Sequence, residues 1–250
     1  VNQFQETLIP RPGQLRLWAL QNAAYGAEGV MFYPWRKRPA GWEMLSNGLL
    51  EHDGVPRRYF EEAKQIGNEF LKLQNKLPEY SVPEEVALIR DFQDAVNAGI
   101  NRQILGVNHQ EHLNTWMKSI RKCGLNVRYV RSADDLTPYK AVIAPNLYTG
   151  TEEISSNLKS YVEQGGVLIA SNRPGIFNEY GNPNQERMPC MMQDLFGMEI
   201  DEYERCLDVN RNSLVFDDET GLENAACKDW VFILKLFTAK ALAHFDSQFY

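Results

Sequence analysis

The stretch KAVIAPNLYTGTEEISSNLKSYVEQGGVLIAS, residues 140–171, decides the fold class of this chain. It opens with a short apolar run, Lys140 to Pro145, of the kind a strand buried on both faces shows. Thr151 then stands as an N-cap, with Glu153 in the first turn where a carboxylate meets the positive end of the helix dipole. The helix this predicts runs to about Gln164, Gly165-Gly166 stops it, and Val167 to Ser171 is the next strand.

The same grammar extends upstream. VALI at 86–89 is a buried-strand signal, and a helix from about His109 to Lys122 presents Leu113, Trp116, Met117 and Ile120 on one face, with Gly124 as its C-cap. A strand at Asn126 to Arg131 follows. Strands alternating with helices imply right-handed crossovers, and the fold class read here is α/β with a doubly wound parallel sheet. Downstream the pattern is less regular: a short helix at Met188 to Phe196, then strands at Gly197 to Cys206, Asp229 to Leu236 and Ala239 to Phe245.

Before Pro78 the organisation differs. Residues 13–25 place Leu15, Trp18, Ala19 and Ala23 at helical spacing, an amphipathic helix that Gly26 ends. GVMFYPW at 29–35 reads as a buried strand, Arg36 to Gly54 as a long loop, and Arg57 to Leu77 as a helix carrying Phe60, Ala63, Ile66, Phe70 and Leu73 before Pro78 closes it. Two domains are therefore expected, 1–77 and 78–250.

Composition narrows the function classes. At 44% hydrophobic and 24% charged, the 250 residues are those of a globular chain. A formal charge of −7 argues against a nucleic-acid partner, which a protein attracts with an excess of positive charge. The sequence has no apolar run of the roughly 18–20 residues a membrane helix needs, so no membrane partner and a cytoplasmic location are expected. The first residue is Val1 and not Met, which reads as an excised piece. Cys123, Cys190, Cys206 and Cys227 are widely spaced and form no CxxC, so reduced and mostly buried thiols are expected, with no metal.

Ligands of open α/β sheets sit at the carboxyl ends of the strands. There the sequence reads IASNRPG, 169–175, with no thiol for an amidotransferase elbow, and no GxGxxG or P-loop occurs. His109 and His112 are spaced as two metal ligands could be, without a third nearby, and read as a solvated first turn. The acidic runs at 134–135, 152–153 and 217–219 read as solvated loops and helix starts. No catalytic residue and no cofactor is assigned. The loop from Arg36 to Gly54 is different: Trp35, Arg36, Trp42, Glu43, Ser46 and Asn47 combine aromatic faces with a carboxylate, the groups that pack on sugar C–H faces and accept from hydroxyls.

PGQLRLWALQNAAYGAEGVMFYPWR at 12–36 and GLLEHDG at 48–54 resemble the last β/α unit of the family 42 glycoside hydrolases, the β-galactosidases. YKAVIAPNLY at 139–148, LKSYVEQGGVLIAS at 158–171 and DSQFY at 246–250 resemble that family's trimerisation domain, which has a flavodoxin-like or class I glutamine amidotransferase-like fold. The resemblance implies that residues 1–77 are the final strand and helix of a TIM barrel and that 78–250 build a homotrimer. The ligand it implies is a carbohydrate, a β-galactoside or related pyranoside.

A retaining glycosidase needs two carboxyls about 5–5.5 Å apart. The resemblance places both glutamates upstream of Val1, so Glu6 is not the nucleophile and this chain alone is expected to be inactive. It implies substrate contact for Glu43, alongside Trp35 and Arg36. It also aligns Gln3 with a sugar-stacking Trp and Ser46 with a His, two departures that bear on galactose specificity. The alternative is a free-standing, non-catalytic assembly module.

Overall fold

The computed structural model describes residues 9–74, 76, 83–101, 105–106, 108–206, 213–226 and 229–246. The chain divides into two units, Val1–Pro83 and Glu84–Tyr250.

The second unit is built on four parallel strands, β1 (Val86–Ile89), β2 (Val127–Val130), β3 (Ala141–Ala144) and β4 (Val167–Ala170), in the order β2-β1-β3-β4. Alternation along the strands gives the sheet two apolar faces. On one, Val86, Leu88, Val127 and Ile143 pack with Leu113 and Ile120 of a helix at His109–Lys122. On the other, Ala87, Ile89, Val142 and Ala144 pack with Leu158 and Tyr161 of a helix at Glu152–Glu163. We number the helices α1 (Gln14–Ala24), α2 (Arg58–Leu73), α3 (Phe92–Ile100), α4 (His109–Lys122), α5 (Glu152–Glu163) and α6 (Gln193–Phe196).

Local chemistry sets the ends of α5. The Thr151 hydroxyl accepts from the Ile154 amide at 3.3 Å, as an N-cap does. At the other end Gly165 takes φ 94°, and Gly166 lies so close to the Tyr161 ring that an added Cβ would stand 2.2 Å from it. The Tyr161 hydroxyl in turn donates to the Tyr139 carbonyl at 3.0 Å.

The C-terminal third is antiparallel. β5 (Met198–Cys206) pairs with β8 (Asp229–Leu236), and β6 (Ser213–Phe216) lies between β7 (Ala225–Ala226) and β9 (Ala243–Phe245). Here β5 and β8 follow the expected strands. The strand expected from Ala239 shrinks to three residues, and β6, β7 and α3 carried no sequence signal strong enough to be expected. Among the described residues no helix is long and apolar enough to cross a membrane.

In the first unit two expectations fail. The run Gly29 to Trp35 is not a buried strand: it forms no ladder, and Met31 is 92% exposed. A strand is held by hydrogen bonds to a neighbour, and among the described residues this unit supplies only the isolated bridges Arg36–Leu50 and Leu50–Pro56. Helix α1 forms but is not amphipathic: Ala19 alone is buried, while Trp18 and Leu17 are exposed. Helix α2 follows its periodicity, with Ile66 buried, and Glu62 beside it accepts from the Arg16 amide at 3.3 Å. Its expected end at Leu77 and Pro78 lies outside the described residues. Of the thiols, Cys190 is buried, but Cys123 is exposed because it caps the solvent end of α4; the Cys206 side chain and Cys227 lie outside the described residues.

Candidate functional site

The loop of the first unit is a closed excursion. Its stems are stitched by backbone bonds, Leu49 N to Pro34 O at 3.1 Å, Leu50 N to Trp35 O at 2.8 Å and Lys37 N to Leu50 O at 3.0 Å. Gly48 sits in this seam, where a Cβ would meet Lys37 N, Leu50 O and Pro34 O at 3.0–3.1 Å. Between the stems, Met44 N donates to Gly41 O at 3.2 Å and Ser46 N to Glu43 O at 3.0 Å, folding the tip into successive turns.

Glu43 stands on that tip. Its Oε2 accepts from the Tyr33 hydroxyl at 3.2 Å and lies 3.2 Å from Arg38 Nε, while Arg38 Nη2 donates to the same Tyr33 hydroxyl. His52 Nε2 faces two carbonyls, Met44 O at 2.8 Å and Arg38 O at 3.1 Å, and so ties the two ends of the tip together. Arg36 reaches back with Nε and Nη2 to the His52 carbonyl. At the exit of the loop, the hydrogen bonds of Arg57 to Asp53 hold that carboxyl down at about 2, with the Val55 amide adding to the effect.

Of the residues singled out from the sequence, Trp35 is 61% exposed and sets its ring edge-on against Phe60 of α2 at 5.6 Å. Arg36 braces the loop from behind, Ser46 is 5% exposed beneath the tip, and Glu43 is brought next to Tyr33 and Arg38. Trp42, next to Glu43, is 87% exposed. Gln3 lies outside the described residues. Sequence reasoning missed Tyr33, Arg38 and His52, whose separations from Glu43 follow no helix or strand period. Chemically, the tip offers a carboxylate held by a phenol and a guanidinium, beside an exposed indole, which suits hydrogen-bonding and stacking on a polyol. Among the described residues no three His, Cys, Asp or Glu are grouped to hold a metal.

The second unit fills the place where a sheet of this kind usually receives a ligand. Strand order reverses between β1 and β3, and the crevice beyond their carboxyl ends is the usual site. Here Ala98, Leu105, Tyr148 and Phe177 form a buried cluster in it. The segments after β3 and β4 are zipped by Gly175 N to Leu147 O at 2.9 Å, Phe177 N to Tyr148 O at 2.8 Å and Gly150 N to Phe177 O at 2.8 Å. Gly150 and Gly175 run so close that a Cβ on Gly150 would stand 2.8 Å from the Gly175 Cα.

His112 is absorbed into packing. Trp116 Nε1 donates to its Nε2 at 3.2 Å, which leaves Nδ1 as the donor to Asn146 Oδ1 at 2.7 Å. The expected solvated first turn is thus half-buried. Burial holds the His109 imidazole below its ordinary range, with Arg90 and His112 adding to it. Burial pushes the Cys190 thiol up to about 11, away from the thiolate a nucleophile needs.

The family described as "Beta-galactosidase trimerisation domain" matches residues 84–250, and the one described as "Beta-galactosidase" matches residues 1–73. Beta-galactosidase BgaA of Clostridium cellulovorans is 30% identical over 241 residues, covering 96% of this chain and 36% of the relative. Beta-galactosidase BgaB of a Geobacillus species is 31% identical over 251 residues, covering 99% of this chain and 36% of the relative. The chain therefore spans about a third of the length of these relatives. The crystal structure of a β-galactosidase from Bacillus circulans sp. alkalophilus superposes with a TM-score of 0.88 at 24% identity, over 99% of this chain and 38% of that one, a likeness that speaks for the fold.

Proposed function

This chain belongs to the family 42 β-galactosidases, and from that premise we propose that it is the C-terminal part of a retaining glycoside hydrolase. In this reading residues 1–77 supply the last strand and helix of a TIM barrel, and 78–250 an amidotransferase-like domain that builds the trimer. The observation that carries it is the order of the two family matches, 1–73 and then 84–250, across one chain.

The division of labour follows from the chemistry. Retaining hydrolysis needs an acid/base and a nucleophilic carboxyl about 5–5.5 Å apart. Both belong to the part of the barrel that precedes this chain, so these 250 residues bind and do not cleave. Glu43 accepts from a sugar hydroxyl of a β-galactoside or related pyranoside, Trp35 and Ser46 line the same subsite, Arg36 supports it, and Gln3 stands where a stacking ring would otherwise be. An apolar groove of about 950 Å³ between the α1 end and α2, lined by Ala23, Val30, Phe32, Ile66 and Phe70, supports the barrel reading, because neighbouring β/α units would cover such a face.

The test has two parts. The 250-residue chain is expected to give no turnover of a nitrophenyl β-galactoside, and a polypeptide that also carries the preceding barrel to give turnover that depends on Glu43. Clear turnover by the chain alone sinks the proposal. Sedimentation of the longer polypeptide as a trimer is expected; a monomer would remove the assembly role.

A further inference from the structure

Glu43 stands on a loop tip, where neither helix nor strand dictates the direction of its side chain. A glutamate on such a tip retains several rotamers, and fixing one has an entropic cost that a binding site must meet at each encounter. In this unit that cost is met beforehand. Tyr33 comes from the segment entering the loop and Arg38 from the first residues of the excursion, and both converge on the same oxygen, Oε2, at 3.2 Å.

The hydrogen-bond roles are fully determined. A guanidinium only donates, so Arg38 Nη2 gives a hydrogen to the Tyr33 oxygen, and the Tyr33 hydroxyl gives its own to Glu43. The guanidinium carbon also lies 5.7 Å from the centroid of the Tyr33 ring. Phenol, guanidinium and carboxylate thus close a three-membered ring of contacts. The backbone is fixed as well, since His52 holds the carbonyls of Arg38 and Met44 on either side of the turn that bears Glu43.

We propose that Tyr33 and Arg38 are positioning residues for Glu43, presetting the direction in which its carboxylate meets a substrate hydroxyl. The inference rests on the sugar-binding role proposed for Glu43. It assigns specificity to residues that touch no sugar: they select the hydroxyl whose orientation matches a carboxylate already turned.

The experiment uses the full-length enzyme, a nitrophenyl β-galactoside and its four monodeoxy analogues. E43Q identifies the contacted hydroxyl as the one whose removal makes the substitution harmless. Y33F and R38A are expected to lower kcat/KM about tenfold, chiefly through KM, on every substrate that keeps this hydroxyl. On the analogue lacking it the loss should fall below about twofold. R38K should restore part of the loss, with thermal midpoints unchanged.

Equal losses on all five substrates would mean a merely structural role and overturn the inference. So would full activity of Y33F and R38A alongside an E43Q variant that does discriminate. If E43Q changes nothing on any substrate, the sugar-binding reading of Glu43 itself fails and this inference falls with it.

Discussion

The Thr149 hydroxyl donates to Asp94 Oδ1 at 2.6 Å, and the Thr149 amide donates to the same oxygen at 2.7 Å. This joins the first turn of α3 to the segment after β3. Asp94 is 1% exposed, and its second oxygen has no hydrogen-bond partner among the described residues. Burial pushes the carboxyl up to about 7, the nearby Asp91 charge adds to that, and the Thr149 bonds oppose it. A raised acid is more easily protonated in the folded state, so its stabilising contribution is complete below pH 4 and lost as pH rises through 7. At 1.36 kcal/mol per unit, the span from 3.8 to about 7 is worth on the order of 4 kcal/mol. Asp94→Asn is expected to leave stability at pH 3 nearly unchanged and to raise it at pH 8. Urea denaturation at the two pH values checks this, and parallel pH profiles for the two proteins would refute it.

The contact between Gly166 and the Tyr161 ring makes a second prediction. A Cβ at 2.2 Å cannot be accommodated unless the ring moves, and the ring is held by the bond from its hydroxyl to the Tyr139 carbonyl. Gly166→Ala is expected to destabilise the second unit by about 1–3 kcal/mol. In a Tyr161→Leu background the added cost should largely vanish; an equal cost in both backgrounds would place the strain elsewhere.

His52 closes the tip that bears Glu43 through one imidazole N–H facing two carbonyls. Losing such a bond is worth about 0.5–1.5 kcal/mol, a few-fold to tenfold in local opening. His52→Ala should therefore speed amide exchange at Met44 and Ser46 by that factor, while amides of α2 are unaffected. Unchanged exchange at the tip would show that the backbone seam alone holds it.

Arg173 is 1% exposed and takes φ 52°. Its Nη2 donates to Leu105 O at 2.9 Å, its guanidinium carbon lies 4.0 Å from the centroid of the Trp230 ring, and no carboxylate among the described residues pairs with it. Desolvation lowers its pKa, so the buried charge is held by stacking more than by a counter-ion. Arg173→Lys keeps the charge and loses the planar stack, and is expected to cost about 2 kcal/mol. Arg173→Met, which removes the charge and keeps an apolar stem, should cost less. Urea midpoints in the reverse order would refute this account.

The parallel sheet was legible because its determinants are local. VALI at 86–89, AVIA at 141–144 and VLIA at 167–170 are continuous apolar runs, and Thr151 and Gly165 mark helix ends by their own chemistry. Gly29 to Trp35 misled for the opposite reason: an apolar run becomes a strand only beside a partner along its length, and the described residues of its unit bond it only at its end, through Leu49 and Leu50 to Pro34 and Trp35. Trp18 shows the same dependence on helix α1, whose periodicity says which residues share a side but not whether anything covers it. At the candidate site, composition pointed to the loop of Glu43. Tyr33, Arg38 and His52 stayed hidden because their convergence comes from the chain doubling back, a geometry with no repeat to read.

The filled crevice beyond β1 and β3 changes what kind of object the second unit is. In a sheet that receives a ligand there, the loops must part and close, and that end is mechanically soft. Here Tyr148 and Phe177 occupy the gap, and beside it the backbones at Gly150 and Gly175 press together between the segments after β3 and β4. At that crevice the unit has a keystone in place of a mouth, and a guest would have to displace packed side chains to enter.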